Sequence, residues 1–267
     1  GLSQTGGHGD GRDLMVDDPS HACRTSVIVD SPDQVRRVVR ELFRRGACAI
    51  KMMTSGGVIS EADPLRAPQF TAAEIQAATE EANRRGSYVT VHAYSPEAIR
   101  HSIDNGVRCI EHGNLLDAET ARAMAQAHIP LDPTLITYDA MDRRGDDVGL
   151  TKIGRAKNSE VLAQGKDAVR IARDAGVLIG FGTDLMGDLE DEQLGGLRLM
   201  TEVLGLDGAL EAATVSNAKI LRLPDVGAVR PGAAADLVLL GGDLAAAPEL
   251  LWDEAVPRTV IQAGRVL

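Results

Sequence analysis

The chain has 267 residues, a mass of 28.2 kDa and a formal net charge of −11. Nucleic acids and anionic membranes repel an acidic chain at long range, so we expect neither as a partner. No run of apolar residues approaches the length that a membrane-spanning helix needs. The three cysteines, Cys23, Cys48 and Cys109, are too widely spaced for a disulfide framework or a paired-cysteine zinc site, and they favour a reducing, cytoplasmic compartment.

Amphipathic helices and short apolar strands are predicted to alternate along most of the chain. In residues 32–45 the apolar side chains Val35, Val38, Val39 and Leu42 recur with helical spacing, directly after a candidate N-cap at Ser31. Further helices are predicted over residues 71–85, 96–105, 117–127, 157–175, 192–204 and 208–220, and strands over residues 47–53, 88–92, 107–111, 129–131 and 177–181. The polar, aperiodic residues 139–149 are predicted to form a loop.

This alternation is typical of a parallel sheet built from βαβ units. Residues 2–4 could be the end of one more strand. A Rossmann-type sheet and a (β/α)₈ barrel both remain open, although neither glycine-rich nucleotide signature is present. From residue 226 onward, short β-rich segments with Pro-Gly and Gly-Gly turns indicate a small β unit, so we expect domains at residues 1–222 and 223–267.

Four side chains that can titrate or bind a metal ion lie at or just after the predicted strand ends: Lys51, His92, His112 and Asp184. In parallel sheets and barrels the carboxyl ends of the strands meet at one rim, where functional side chains gather. A lysine inside an apolar strand is costly to desolvate, and we expect its flanks to lower its pKa and leave a neutral amine. Such an amine can react with CO₂ to give a carbamate, a two-oxygen anion able to bridge two metal ions. Together with neutral imidazoles and a carboxylate, this set is typical of a zinc hydrolase site.

The motifs around these residues resemble the amidohydrolase superfamily of metal-dependent (β/α)₈ hydrolases. They are AIKMMTSGGVIS around Lys51, VTVHAYS around His92, IEHGN around His112 and GFGTD ending at Asp184, followed by LEAATVSNAKIL and GAVRPGAAADLVLL. Within that superfamily, IKMMTSGGV with VHAY is similar to the branch of imidazolonepropionase-like proteins, Xaa-Pro dipeptidases and carboxypeptidases. The resemblance spans the whole chain and implies a TIM-type barrel with an appended β-sandwich.

The resemblance also implies a role for each residue. Lys51 would be the carboxylated lysine that bridges two metal ions, and His92 and His112 would bind the more exposed ion. Asp184 would bind the more buried ion and act as general base and then general acid, while a hydroxide held between the ions attacks the substrate carbonyl. Tyr94, two residues after His92, would bind the substrate or the developing oxyanion. His8, in a glycine-rich loop after the first segment, is a further candidate for the pocket wall.

One expected motif is missing. Members of the superfamily carry a His-x-His pair at the end of the first barrel strand, and none of the six histidines here forms one. Only 50 residues precede Lys51, too few for three βα units. We therefore expect an α/β chain that is an N-terminally truncated, incomplete (β/α)₈ barrel with part of a β-sandwich. Two ligands of the buried metal would be missing, and the fragment alone would be weakly active or inactive.

The hypothesis from sequence is a metal-dependent amidohydrolase that cleaves the amide or peptide C–N bond of a dipeptide or N-acyl amino acid. Its cofactor would be a divalent metal, with zinc first and two ions in the full-length enzyme. Its partner would be a small-molecule or dipeptide substrate, and a homo-oligomer is left open. The alternatives are a cyclic-amide (imidazolone-type) hydrolase or a deaminase, a non-catalytic metal-binding fragment, and, more distantly, a Rossmann-like sugar or nucleotide binder.

Overall fold

A parallel sheet of six strands forms the centre of the computed structural model, which describes residues 1–10 and 26–267. In chain order the strands are β1 (Leu2–Ser3), β2 (Val27–Ile28), β3 (Ile50–Met53), β4 (Val89–Ala93), β5 (Cys109–His112) and β6 (Leu131–Asp132). Their order across the sheet is β2-β1-β3-β4-β5-β6. After β6, Ile179 forms a single parallel bridge to Leu131, which extends the sheet by one position. Within the described residues no pairing joins this end back to β2, so the barrel is incomplete.

Helices follow the strands and cover one face of the sheet. They are α1 (Pro32–Arg44), α2 (Ala72–Arg84), α3 (Pro96–Asp104), α4 (Ala118–Gln126), α5 (Leu135–Arg144), α6 (Lys152–Asp174), α7 (Gly195–Glu211) and α8 (Asn217–Ile220). The sequence signals for their starts hold: Ser31 caps α1 by accepting from the Gln34 amide, and Glu74 accepts from the Thr71 amide in a capping box before α2. None of the described helices is both long and apolar enough to cross a membrane.

Strand register separates an apolar face from a polar face. Side chains of Ile50, Met52, Val91, Ile110 and Leu131 are almost wholly buried on the face beneath the helices. Because side chains alternate along a strand, the residues between them point to the opposite face, which is the barrel interior. Paired positions across that interior face are Lys51 with Thr90, His92 with Glu111, and Glu111 with Asp132.

Several predicted elements differ from the structure. The loop prediction for residues 139–149 was wrong over its first half, because α5 extends to Arg144 and buries Tyr138, Ala140 and Met141. Ion pairs from Arg143 to Glu192 and from Arg144 to Asp191 stabilise the end of this helix, and such distant partners leave no local signal. The strand predicted over residues 177–181 is reduced to the bridge at Ile179.

The C-terminal part contains a three-stranded antiparallel sheet in the order β7-β8-β9: β7 (Leu237–Leu240), β8 (Arg258–Gln262) and β9 (Arg265–Val266). The segment 226–229, which was predicted to be β-rich, forms turns instead. The predicted helices over residues 192–204 and 208–220 join in α7, which has a break at Gly205 where φ is 76°, and continue through a short π-helical turn, Ala212–Ser216, into α8. Cys23 lies outside the described residues; Cys48 and Cys109 are free thiols.

Candidate functional site

The four side chains expected at one rim lie in one neighbourhood. Lys51 Nζ is 4.0 Å from Asp184 Oδ1, and His112 Nε2 is 3.9 Å from Asp184 Oδ2. The rings of His92 and His112 meet edge to face with their centroids 4.6 Å apart. Lys51 is the second residue of β3 rather than its last, so it projects from within the sheet into the interior.

Backbone strain helps to bring two of these residues into the site. His112 pairs with Ala93 in the register of β4 and β5, and regular alternation would point it to the helix-covered face. Its φ of 75° turns the chain at the strand end, and Asp184 likewise has a φ of 50°. Left-handed backbone in residues other than glycine is uncommon and concentrates at functional sites.

Lys51 is a paired ammonium rather than a free amine. Its Nζ contacts Glu111 Oε2 and faces Asp184. Burial opposes the charged form, but the carboxylates of Glu111 and Asp184 outweigh it and hold the pKa of Lys51 above its usual value. The expectation that apolar flanks lower this pKa was therefore wrong, because it took no account of Glu111 on the neighbouring strand.

The two imidazoles each use one ring nitrogen for a protein contact. His92 Nε2 lies 3.0 Å from the carbonyl oxygen of Gly56, which can only accept, so Nε2 carries the proton and Nδ1 keeps its lone pair. His112 Nδ1 lies 2.7 Å from Thr134 Oγ1, and its buried Nε2 has no hydrogen-bond partner among the described residues. Burial lowers the pKa of both rings well below the usual value and keeps them neutral.

His8 and Tyr94, the candidate substrate contacts, flank the imidazoles. The His8 ring stacks on His92 with a centroid separation of 4.3 Å, and its Nδ1 is 2.7 Å from Ser60 Oγ. Burial lowers the pKa of His8 to about 4, so it is neutral near pH 7. The ring of Tyr94 lies 4.7 Å from that of His92, and its hydroxyl is 2.9 Å from the hydroxyl of Tyr138.

Two carboxylates of this site were not among the sequence candidates. Glu111 contacts Lys51 and accepts from Thr90 Oγ1 at 2.7 Å. Asp132 ends β6, and its Oδ1 is buried with no hydrogen-bond partner among the described residues. Burial, followed by repulsion from Glu111, raises the pKa of Asp132 to about 7. The rule that functional residues lie at strand ends, which identified His92, could have identified both. Glu111 is the last residue of the predicted strand 107–111, and Asp132 directly follows the predicted strand 129–131.

Part of the site borders a cavity of about 460 Å³. Lys51, His8, His92, Tyr94 and Asp184 form part of its polar wall. The apolar part of the lining comprises Met53, Val58, Ile59, Met141 and Met186. A concave space of this size with an apolar wall and a few convergent polar groups is typical of a small-molecule site.

The donor types fit a divalent cation, although the geometry is not that of a complete metal site. Among the described residues, no group of three or more His, Cys, Asp or Glu side chains is arranged to hold a metal ion. His92 Nδ1 keeps a lone pair, and His112 Nε2, 3.9 Å from Asp184 Oδ2, has one when Nδ1 carries the ring proton and donates to Thr134. Imidazole nitrogens and carboxylate oxygens are donors that zinc prefers. Lys51 could join them only by changing from a cation to an anion.

Comparison with curated proteins connects this chain to a fungal hydrolase. Ochratoxinase of Aspergillus niger is 31% identical over 258 residues, which covers 90% of this chain and 52% of the ochratoxinase. An uncharacterized protein of Mycobacterium tuberculosis is 29% identical over 242 residues and is covered to 63%. The chain thus spans about half the length of the ochratoxinase that it matches.

Solved structures also include proteins that are similar to this chain. The chain superposes along its whole length on 67% of a prolidase crystallised with N-methylphosphonate-L-proline, with a TM-score of 0.92 and 39% identity. It superposes on 66% of a Xaa-Pro dipeptidase with methionine in its active site, with a TM-score of 0.86 and 31% identity. The barrel neighbours confirm that the open parallel sheet is part of a TIM-type barrel. The sequence profile of the amidohydrolase family matches residues 7–267, and the chain belongs to that family.

Proposed function

We propose that this chain carries the metal-binding and catalytic half of a metal-dependent amidohydrolase that cleaves the amide or peptide C–N bond of a dipeptide or N-acyl amino acid. One observation carries the proposal most directly. His92 and His112 each direct one ring nitrogen at a protein oxygen, their ring centroids lie 4.6 Å apart, and the other nitrogen of His112 is 3.9 Å from Asp184 Oδ2. A protein hydrogen bond to one ring nitrogen is the usual arrangement behind metal-binding histidines.

A divalent cation held by these residues, zinc in the first instance, would polarise the substrate carbonyl and lower the pKa of water beside it. The chain's own contribution to proton transfer would be Asp184. Burial raises the pKa of Asp184 and the charge of Lys51 partly offsets this rise, so this carboxylate binds a proton more readily than that of an exposed aspartate. It is therefore suited to take a proton from water and return it to the leaving nitrogen.

Lys51 would enter the metal site as a carbamate, formed when the ammonium loses a proton and the resulting amine adds CO₂ with release of a second proton. Its neighbours Glu111, Asp132 and Asp184 are all carboxylates, and an anionic Lys51 among them would be repelled. Bound cations would remove that repulsion, so we propose that carboxylation of Lys51 and metal loading occur together. Without metal, the ion pair with Glu111 keeps Lys51 in its ammonium form.

Tyr94 would supply a hydrogen-bond donor to the substrate. Thr134 Oγ1 lies 2.7 Å from His112 Nδ1, and the Thr134 side chain also lowers the otherwise raised pKa of its neighbour Tyr138. In one arrangement, Thr134 Oγ1 accepts from His112 Nδ1 and the Thr134 hydroxyl hydrogen points to Tyr138. The Tyr138 hydroxyl would then donate to the Tyr94 oxygen. The Tyr94 hydrogen is then free for the cavity. There it could donate to a substrate carboxylate or to the oxyanion, with His8 beside it on the same wall.

The substrate class follows from the relatives and from the cavity. The neighbours named as prolidase and Xaa-Pro dipeptidase favour a dipeptide or a similar amide. Methionine, valine and isoleucine side chains in the wall favour an apolar residue next to the scissile bond.

The decisive test is a hydrolysis screen of dipeptides and N-acyl amino acids with the full-length protein plus Zn²⁺. We expect turnover of at least one apolar member, and loss of both bound metal and turnover in Lys51→Ala. Lys152→Ala, at an exposed position at the start of α6, is the matched control and should retain both. Retention of metal and activity by Lys51→Ala would contradict the site assignment.

A second comparison addresses the missing His-x-His pair. Metal content and turnover of the 267-residue chain would be measured beside those of the longer protein. We expect the shorter chain to bind less metal and to turn over slowly or not at all. Equal turnover would refute the idea that the segment before Lys51 is incomplete, and absence of metal from both would favour a non-catalytic protein.

A further inference from the structure

Residues 56–63, which we name the site loop, connect β3 to the segment before α2 and form part of the cavity wall. The loop touches the site through Asp63, whose Oδ2 lies 3.9 Å from His8 Nδ1, and through two closer polar contacts. The Gly56 carbonyl accepts from His92 Nε2 at 3.0 Å, and Ser60 Oγ is 2.7 Å from His8 Nδ1. The site loop therefore determines which nitrogen of His92 faces the candidate metal position.

A largely buried ammonium contacts this loop from the side of α6. Lys157, on α6, donates to the carbonyl oxygens of Gly57, Ser60 and Asp63 at 3.0, 2.6 and 2.6 Å. Three carbonyls match the three N–H groups of a lysine, and they span the site loop from near its start to its end. The side chain of Lys157 is 13% exposed, so these contacts are largely shielded from water.

Asp63 completes the arrangement. Its side chain is 4% exposed, and its Oδ1 lies 3.5 Å from Lys157 Nζ. Its Oδ2 accepts from the Gly57 amide at 3.0 Å and from Gln69 Nε2 at 3.4 Å. The loop is thus closed on itself by Asp63 and fixed to α6 by Lys157.

The close approach of the loop also depends on the glycine pair in TSGGV. A Cβ on Gly57 would lie 2.0 Å from His8 Nδ1, and one on Gly56 would lie 2.2 Å from the Pro64 carbonyl oxygen. A loop packed this tightly cannot shift without moving His8 or breaking the contact with His92. Buried ion pairs add little net stability, because desolvation offsets the attraction, so this one is better explained by what it positions.

We propose that Lys157 and Asp63 form a clamp that positions the site loop, so that Gly56 fixes the tautomer of His92 and Ser60 holds His8. Both are positioning residues, and neither borders the reacting atoms. Lys157 acts through the loop, and Asp63 acts through the loop and through its carboxylate, 3.9 Å from His8 Nδ1. The predicted effect on metal binding rests on the proposed function. The predicted effect on the His92 tautomer does not depend on the proposed function.

The test uses the full-length protein with Lys157→Met, the double variant Lys157→Met/Asp63→Asn, and the matched control Lys166→Met on the same helix. Lys166 pairs with Glu202 at the surface and does not contact the site loop. The double variant removes both buried charges together, so it remains informative if the single variant leaves Asp63 unpaired and unfolds the protein. Thermal unfolding is recorded for every variant.

Two readouts are needed. In the metal-free protein, ¹⁵N NMR of the histidine rings reports the His92 tautomer, and we expect Nε2–H alone in the wild type and in Lys166→Met. Both clamp variants should show a tautomer mixture, with hydrogen exchange in residues 56–63 at least tenfold faster. In Zn²⁺ titrations, we expect about tenfold weaker affinity in the clamp variants, as for other changes behind a metal ligand.

An unchanged His92 tautomer in folded clamp variants would overturn the proposal, as would faster loop exchange with unaltered zinc affinity. If the wild type binds no zinc while the clamp variants still lose the single tautomer, the clamp stands and the proposed function fails. Equal effects in Lys166→Met would show a general loosening of α6 and would also overturn the proposal.

Discussion

Replacing Asp132 by asparagine should change how the stability of the metal-free protein depends on pH. The carboxyl group of Asp132 is buried beside Glu111, and its pKa rises from 3.8 in the unfolded chain to about 7 in the folded one. Between those values the folded protein holds a proton that the unfolded chain has lost. The stabilisation is therefore complete below pH 3.8 and is lost as the pH rises through 7. Asparagine has no such proton and no such loss.

The size of the effect follows from the width of this interval. From pH 5 to pH 7 the difference in bound protons between the two states falls from nearly one to about one half, and one proton corresponds to about 1.4 kcal/mol per pH unit. The free energy of unfolding of Asp132→Asn minus that of the wild type should then increase by about 2 kcal/mol over this range. The buried histidines contribute the opposite slope in both proteins, so they cancel in this difference.

The assay is urea unfolding in EDTA at pH 5, 6, 7 and 8, analysed by linear extrapolation. Asp207→Asn, at an exposed position of α7, is the control and should follow the wild type at every pH. Parallel pH profiles for Asp132→Asn and the wild type would refute the reasoning, because they would mean that Asp132 titrates alike in the folded and unfolded chains.

Three further predictions concern the site and its support. Thr134→Val should weaken zinc binding about tenfold in titrations, because His112 Nδ1 loses its partner; unchanged affinity would contradict this. Ile110→Ala removes a fully buried side chain from β5 and should lower the free energy of unfolding by about 2–5 kcal/mol, whereas a loss below 1 kcal/mol would mean that the site collapses around it. Ser95→Ala removes the side chain that accepts from the Ala98 amide at the start of α3 and should cost about 1 kcal/mol, measured by the same unfolding assay. A stability unchanged within error would show that this cap contributes nothing.

Sequence periodicity predicted much of the central architecture because it reflects the burial and capping of residues that are close together in the chain. Apolar alternation located β3, β4 and β5, and capping residues located the starts of α1 and α2. The rule that functional groups gather at the carboxyl ends of parallel strands brought His92 and Lys51 to the same interior face, where the register places them. These features depend on residues that are neighbours in the chain.

Features that depend on distant partners were not predictable in the same way. The pKa of Lys51 is set by Glu111, sixty residues later in the chain, so its own apolar flanks gave the wrong direction. His112 faces the interior because its φ is 75°, and strict alternation would have excluded it. The clamp from Lys157 to the site loop joins segments about a hundred residues apart, and the lysine lies on an otherwise ordinary amphipathic helix.

The ion pairs at the end of α5 have a consequence for the cavity as well as for the helix. Arg143 makes two hydrogen bonds to Glu192, at 2.9 and 2.8 Å, and Arg144 pairs with Asp191, so the element that carries Tyr138 is cross-linked to the segment that follows Asp184. These bridges lie at the surface, where dissolved salt screens them. Ionic strength should therefore affect how firmly two parts of the cavity wall are joined, while leaving the buried sheet untouched.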